Sequence, residues 1–190
     1  MPVWGVSITG EVVFRLGVTN NNPRGNQWSL VPAECPFMSI CAGVHSVWGV
    51  SKDGRAHLRI NVTKSNPRGI NWVNVDAPDI PLKQVAVGNT GANVWAVDQE
   101  GGLYRRKNVQ PLFPEGTKWE WVTGCVDSIS IGSDGQLWAV LSIIELDHGQ
   151  VKGVICRRKG VSETCPSGKD WDCAAGSGWA TICARVPLPL

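Results

Sequence analysis

One cationic residue recurs at a fixed place along this sequence of 190 residues. In three successive segments an arginine follows a tryptophan by eleven residues, and in a fourth segment the separation is twenty. The four arginines are Arg15, Arg59, Arg106 and Arg158. Guanidinium groups bind phosphate and carboxylate strongly, so four of them around one axis would form a ligand-binding site for anions. The alternative, which we favour, is that each arginine braces its own segment through backbone carbonyls or a neighbouring aspartate.

Residues suited to catalysis or metal binding show no recognisable spacing. The histidines occupy unrelated places in the sequence, at His45, His57 and His148. The carboxylates lie beside glycine in turns, as at Asp53, Asp98 and Asp134. The spacing matches neither a zinc motif nor a nucleophile elbow, and the sequence has no nucleotide-binding glycine loop. We therefore expect no catalytic residues, no metal and no cofactor.

Composition excludes some partners and compartments. Eighteen lysines and arginines against sixteen acidic residues give a formal charge of +2, so we expect no nucleic-acid partner. Seven cysteines without CxxC spacing are interpreted as reduced thiols. The first residues lack the pattern of a secretory signal, and the longest apolar stretch, Leu137 to Ile144, is too short to span a bilayer. These observations favour a cytoplasmic location.

The arginines belong to a larger repeat, which the tryptophans reveal. Val-Trp-Gly-Val or a close variant recurs at intervals of 44, 47 and 43 residues. Each copy then carries Gly, Arg, Val and Pro-x-Gly, followed by a second tryptophan, and the fourth copy keeps this order after a nine-residue insertion. The repeat tryptophans are Trp4, Trp28, Trp48, Trp72, Trp95, Trp119, Trp138 and Trp171. Such a period is typical of solenoids and propellers.

The local patterns predict four short antiparallel strands in each copy. The first tryptophan begins a strand and can fill space between sheets, and Lys52-Asp53-Gly54 has the residues of a tight hairpin turn. The position after the second strand carries only Gly or Asn, which predicts a left-handed residue there. We expect third strands such as Trp72 to Val75 and fourth strands such as Met38 to Ala42, with Trp179 to Arg185 as the last.

The fold class is therefore all-β, a β-propeller with four blades of four strands. The blades are placed at about 1–45, 46–92, 93–136 and 137–190, within a single region of 1–190.

Tryptophan-rich blades that contain Asn-Pro-x-Gly-x-x-Trp, as in residues 66–72, resemble tectonin repeats. The resemblance covers essentially the whole sequence. It is closest to the last tectonin region of large animal autophagy proteins of this family, whose final blade also has an extended first hairpin. The resemblance implies that these four blades are a fragment that helps complete a six-bladed ring. A closed ring of four blades is the alternative.

The resemblance also implies a function. It points to a scaffold that binds autophagy proteins and helps to tether autophagosomes to lysosomes, peripheral to their membranes. Any binding of phosphoinositide membranes would then lie in the rest of a larger protein. A carbohydrate-binding lectin of innate immunity, in which inter-blade loops such as Asn20 to Asn22 bind glycan, is the alternative.

Overall fold

The computed structural model describes residues 3–144 and 151–184, and these residues form strands, turns and loops. No helix among them is long and apolar enough to cross a membrane. The strands are β1 Trp4–Val6, β2 Val12–Arg15, β3 Trp28–Val31, β4 Phe37–Ala42, β5 Val47–Ser51, β6 Ala56–Arg59, β7 Trp72–Val75, β8 Leu82–Val87, β9 Val94–Asp98, β10 Leu103–Arg106, β11 Trp119–Thr123, β12 Val126–Ile131, β13 Leu137–Ile144, β14 Val151–Lys159 and β15 Asp170–Cys173. The predicted third strands, such as Trp72 to Val75, are confirmed.

The strands form four antiparallel sheets, which confirms the propeller architecture. The first sheet contains β1–β3, the second β4–β7, the third β8–β11 and the fourth β12–β15. The predicted fourth strand exists in the first three copies, but it pairs with the first strand of the next copy, as β4 does with β5. The sheets are thus offset by one strand from the repeats, because the short hairpin at 43–46 brings β4 and β5 together whereas β3 and β4 lie in different sheets.

The turns follow the predicted chemistry. The residue after the second strand of each copy has a positive φ, at 70° for Gly17 and Gly160 and 56° for Asn61 and Asn108. The turn around Lys52-Asp53-Gly54 closes with a hydrogen bond of 2.9 Å from the amide of Gly54 to the carbonyl of Ser51. The left-handed prediction is confirmed, because only Gly and Asn adopt that conformation at low cost.

The apolar core lies between neighbouring sheets. One cluster of buried side chains joins the first and second sheets, another the second and third, and another the third and fourth. Trp48 and Trp95 are 0% and 1% exposed and lie in these interfaces. Within the described residues no such cluster joins the first sheet to the fourth, and the first sheet has three strands where the others have four.

Two local predictions were wrong. Residues 179–184 form no strand, and Gly178 and Trp179 instead donate backbone hydrogen bonds to the carbonyl of Gly153, while Arg185 lies outside the described residues. The prediction that all seven cysteines are reduced was wrong for two of them, because Cys156 and Cys173 form a disulfide. They are direct cross-strand neighbours in the β14–β15 pair, a proximity that their separation of 17 residues does not reveal. The other five cysteines are free thiols.

Candidate functional site

The four repeat arginines make the same two contacts in every copy. Each Nε donates a hydrogen bond to a backbone carbonyl nine residues further on, with distances of 2.7, 2.8, 2.7 and 2.9 Å. Each guanidinium also lies over the second tryptophan of its copy, with the carbon at 5.3, 5.5, 5.2 and 4.9 Å from the ring centroid. The arginines are Arg15, Arg59, Arg106 and Arg158, over Trp28, Trp72, Trp119 and Trp171.

These contacts are those of a brace for the Pro-x-Gly loop. The carbonyl acceptor is the residue immediately before the loop glycine, and Gly25, Gly69, Gly116 and Gly168 have a positive φ. Burial lowers the pKa of the Arg59 and Arg158 guanidiniums, but arginine remains charged. Cation–π stacking and a charge-assisted hydrogen bond hold the loop in place. A role of the four arginines in ligand binding stays a prediction.

The tryptophans connect adjacent sheets. The first tryptophan of one copy meets the second tryptophan of the next copy edge to face, with Trp4 and Trp72 at 6.5 Å and Trp48 and Trp119 at 6.0 Å between centroids. Trp95 and Trp171 share the cluster between the third and fourth sheets, whereas Trp138 is half-buried on the outer side of the fourth sheet. The six paired tryptophans are structural, because each pair seals one inter-sheet interface.

A polar cluster that the sequence did not reveal lies between the first two sheets. It brings together Cys35, Ser51, Asp53 and His57 beside a cavity of about 510 Å³, with Ser51 and His57 buried. The Ser51 hydroxyl donates to Asp53. The Nε2 of His57 lies 3.0 Å from Ser51 Oγ and 3.7 Å from Cys35 Sγ.

The direction of these hydrogen bonds differs from that of a catalytic triad. In a triad the carboxylate orients the histidine, which then accepts the serine proton. Here the Ser51 hydroxyl donates to Asp53 and to the backbone carbonyl of Arg55, so its proton is not directed to His57. Burial, followed by the charge of Asp53, raises the pKa of the Cys35 thiol. The cluster thus contains neither an activated serine nor a thiolate, and its hydrogen bonds stabilise the hairpin at 51–55.

A second cavity, of about 840 Å³, lies between the third and fourth sheets; we call it the basic cleft. Its floor contains the cross-strand pair Arg105 and Glu120. The corresponding pair in the second sheet is Leu58 and Val73, which pack in the apolar core between the second and third sheets. The basic cleft exists because a polar pair replaces an apolar pair at one equivalent interface.

The charges of the basic cleft are unbalanced. Glu120 accepts hydrogen bonds from Lys107 at 3.1 Å and Ser167 at 2.8 Å, which together hold the pKa of its carboxyl below the usual value, with the Ser167 bond the larger cause. Lys169 and Arg105 also line the cleft. The buried Nε of Arg105 has no hydrogen-bond partner in the described part of the chain. An unpartnered buried donor carries a cost in free energy.

The four packed antiparallel sheets define a protein of the β-propeller class, and the inter-sheet clefts are its candidate binding sites. The tectonin domain model matches residues 1–144 and 37–184, so this chain belongs to the tectonin family. This is a β-propeller scaffold family and not a known class of enzymes.

Relatives in animals place this region within much longer proteins. The chain is 53% identical over 186 residues to tectonin beta-propeller repeat-containing protein 1 of Rattus norvegicus and of Homo sapiens. The match covers 97% of this chain and 16% of each relative. A Drosophila melanogaster tectonin beta-propeller repeat-containing protein is 33% identical over 193 residues, with 94% of this chain and 13% of the relative covered.

Solved structures support the fold alone. The tricorn protease structure matches with a TM-score of 0.61 and 11% identity, over 93% of this chain and 16% of that chain. The structure of YCF48 bound to D1 peptide matches with a TM-score of 0.55 and 13% identity, over 90% of this chain and 50% of that chain.

Proposed function

We propose that this chain is a non-enzymatic scaffold region that contributes to autophagosome–lysosome tethering by binding protein partners. The identity of 53% to tectonin beta-propeller repeat-containing protein 1, over nearly the whole chain, is the observation that carries the proposal. The hydrogen-bond pattern around His57 supports the non-enzymatic role, because its serine and cysteine are not activated. The location that goes with this role is cytoplasmic, at the surface of lysosomes and autophagosomes.

The basic cleft is the best candidate for the partner site. Four cationic residues line it beside the single carboxylate of Glu120, namely Arg105, Lys107, Arg158 and Lys169. A partner segment rich in Asp and Glu would complement this excess of positive charge. The cleft lies between two sheets, so side chains from two repeats can contact one bound segment. Its partner is therefore an acidic protein segment.

A double substitution tests this site. Arg105→Leu with Glu120→Val reproduces the Leu58 and Val73 pair of the second sheet and keeps the strand pairing, while it removes the hydrogen bonds that Glu120 accepts from Lys107 and Ser167. The matched control is Arg157→Leu with Asp172→Val, the equivalent cross-strand pair on the outer side of the fourth sheet.

The measurement is quantitative mass spectrometry of proteins cross-linked to the full-length protein in starved cells. We expect a partner resident on autophagosomes or lysosomes to fall at least fivefold with the cleft variant and to persist with the control. An unchanged set of organelle partners in the cleft variant would refute the site.

Carbohydrate binding is the second candidate, and the cavity beside His57 favours it. Phe37 and Trp72 line this cavity with ring centroids 4.7 Å apart, and the side chains of Asn71 and Asn74 line it as well. The partly exposed Trp72 ring, combined with amide donors and acceptors, suits a sugar ring. Binding of the purified chain to a glycan array at micromolar strength, abolished by Asn74→Leu, would support the lectin function over the scaffold.

A further inference from the structure

The loops of the four sheets emerge at two opposite ends. The β2–β3, β4–β5, β6–β7, β8–β9, β10–β11, β12–β13 and β14–β15 loops share one end. Contacts between them confirm this grouping, since Val44 donates a backbone hydrogen bond to Asn89 and the Asn89 side chain donates to Ser133. The other described connections share the opposite end, where the Lys52 amine donates to the carbonyl of Ile8.

Charge is segregated between these two ends within the described residues. The first end carries six basic residues in its loops, Arg24, Lys64, Arg68, Lys107, Lys118 and Lys169. Its acidic loop residues are Glu115, Asp134 and Glu163. The other end carries six acidic residues, Glu11, Glu34, Asp53, Asp76, Asp79 and Glu100, against Lys52 and Arg55. We call the two the basic end and the acidic end; the small net charge of the chain conceals this polarity.

One loop of the basic end ends in an apolar tip. Every copy has a four-residue turn in which the first amide donates to the fourth carbonyl at 3.1 Å. Three of these turns are polar, at Thr19–Asn22, Thr63–Asn66 and Ser162–Cys165. The third copy has Gln110-Pro111-Leu112-Phe113 instead, with Leu112 99% exposed and Phe113 42% exposed. The internal comparison shows that the turn itself does not require these apolar residues.

We propose that the basic end docks on an anionic lipid bilayer, with the Pro111–Phe113 tip inserted at the headgroup level. Lys107 and Lys118 flank the tip at the base of its loop, and Lys64 and Arg68 lie in the neighbouring loop of the same end. Basic residues near an anionic surface are attracted to it, and a protruding apolar side chain gains free energy when the acyl boundary covers it.

The shape of the tip favours lipid over a protein partner. Leu112 protrudes at the end of a turn, and Ile70, 65% exposed, protrudes from the adjacent loop. Separate exposed apolar residues at a basic end suit a lipid surface, whereas an apolar protein site is a contiguous patch or groove. The inference concerns the surface of this chain and does not rest on the proposed scaffold role.

The test is flotation of the purified 190-residue chain with two kinds of vesicle. One contains phosphatidylcholine alone, and the other contains phosphatidylcholine with about 30% phosphatidylserine. We expect binding to the anionic vesicles that is lost on raising the salt, and little binding to phosphatidylcholine. Leu112→Asn with Phe113→Asn restores the Asn21-Asn22 sequence of the first copy, so the turn keeps its geometry. This variant should bind at least tenfold more weakly.

Ile8→Asn is the matched control, because Ile8 is 98% exposed in a turn at the acidic end. It should leave vesicle binding unchanged. Failure of the wild-type chain to float with anionic vesicles would overturn the proposal, as would equal weakening by the Ile8 and tip variants. An unchanged set of organelle partners in the cleft variant described above, with vesicle binding intact, would contradict only the scaffold role.

Discussion

Removal of one inter-sheet tryptophan should cost far more stability than removal of its exposed counterpart. Trp48 is 0% exposed and meets Trp119 edge to face between the second and third sheets. Its Nε1 has no hydrogen-bond partner in the described residues, so Trp48→Ala loses packing and no hydrogen bond. From buried-core precedents we expect a loss of about 3–5 kcal/mol in the free energy of unfolding.

Trp28→Ala provides the comparison. Trp28 is 51% exposed, and its described aromatic–cation contact is with Arg15. The loss of this contact and of partial burial should cost about 1 kcal/mol. Urea unfolding followed by far-UV circular dichroism measures both, since the remaining tryptophans complicate fluorescence.

Trp48→Phe, expected to cost about 1–2 kcal/mol, keeps the comparison informative if the alanine variant does not fold. A Trp48→Ala cost no larger than that of Trp28→Ala would refute the inter-sheet core described above.

Three further predictions address the brace, the buried histidine and the disulfide. Arg59→Lys removes the Nε contact to the carbonyl of Arg68 and should lower the free energy of unfolding by about 1–2 kcal/mol, measured in urea; no loss would contradict the brace. Burial lowers the pKa of His57 below 6.5, so the unfolded chain binds a proton at this imidazole more readily than the folded chain does. The free energy of unfolding should therefore fall as the pH drops below about 6.5, and it should fall by less in His57→Asn. An equal dependence of stability on pH in the two proteins would contradict the lowered pKa. Mass spectrometry after alkylation should leave Cys156 and Cys173 unmodified until a reductant is added, and immediate alkylation of both would show that the disulfide is absent.

Turn chemistry and strand positions were predictable because they depend on local sequence. The left-handed Asn61 and the strand from Trp72 to Val75 follow from residue types a few positions apart. Sheet membership was not predictable in the same way. The strand at Phe37–Ala42 has the same local pattern whether it closes one sheet or opens the next, and only its pairing with Val47–Ser51 decides.

The candidate sites were harder to predict because they combine residues from different copies. The signal for the basic cleft was present in the repeat, since Arg105 and Glu120 occupy positions held by Leu58 and Val73 in the preceding copy. A search for residues shared by all copies does not detect it. The Cys156–Cys173 pair depends on the strand register, which the sequence spacing alone does not provide.

Autophagosome–lysosome fusion in cells is the measurement that tests the scaffold role most directly. Cells that lack the endogenous full-length protein receive the wild type, the Arg105→Leu and Glu120→Val variant, or the Arg157→Leu and Asp172→Val control at equal expression. We expect the wild type and the control to restore the overlap of autophagosome and lysosome markers, while the cleft variant leaves autophagosomes unfused. Full restoration by the cleft variant would contradict a partner site in the basic cleft, and no defect in cells lacking the protein would contradict the tethering role itself.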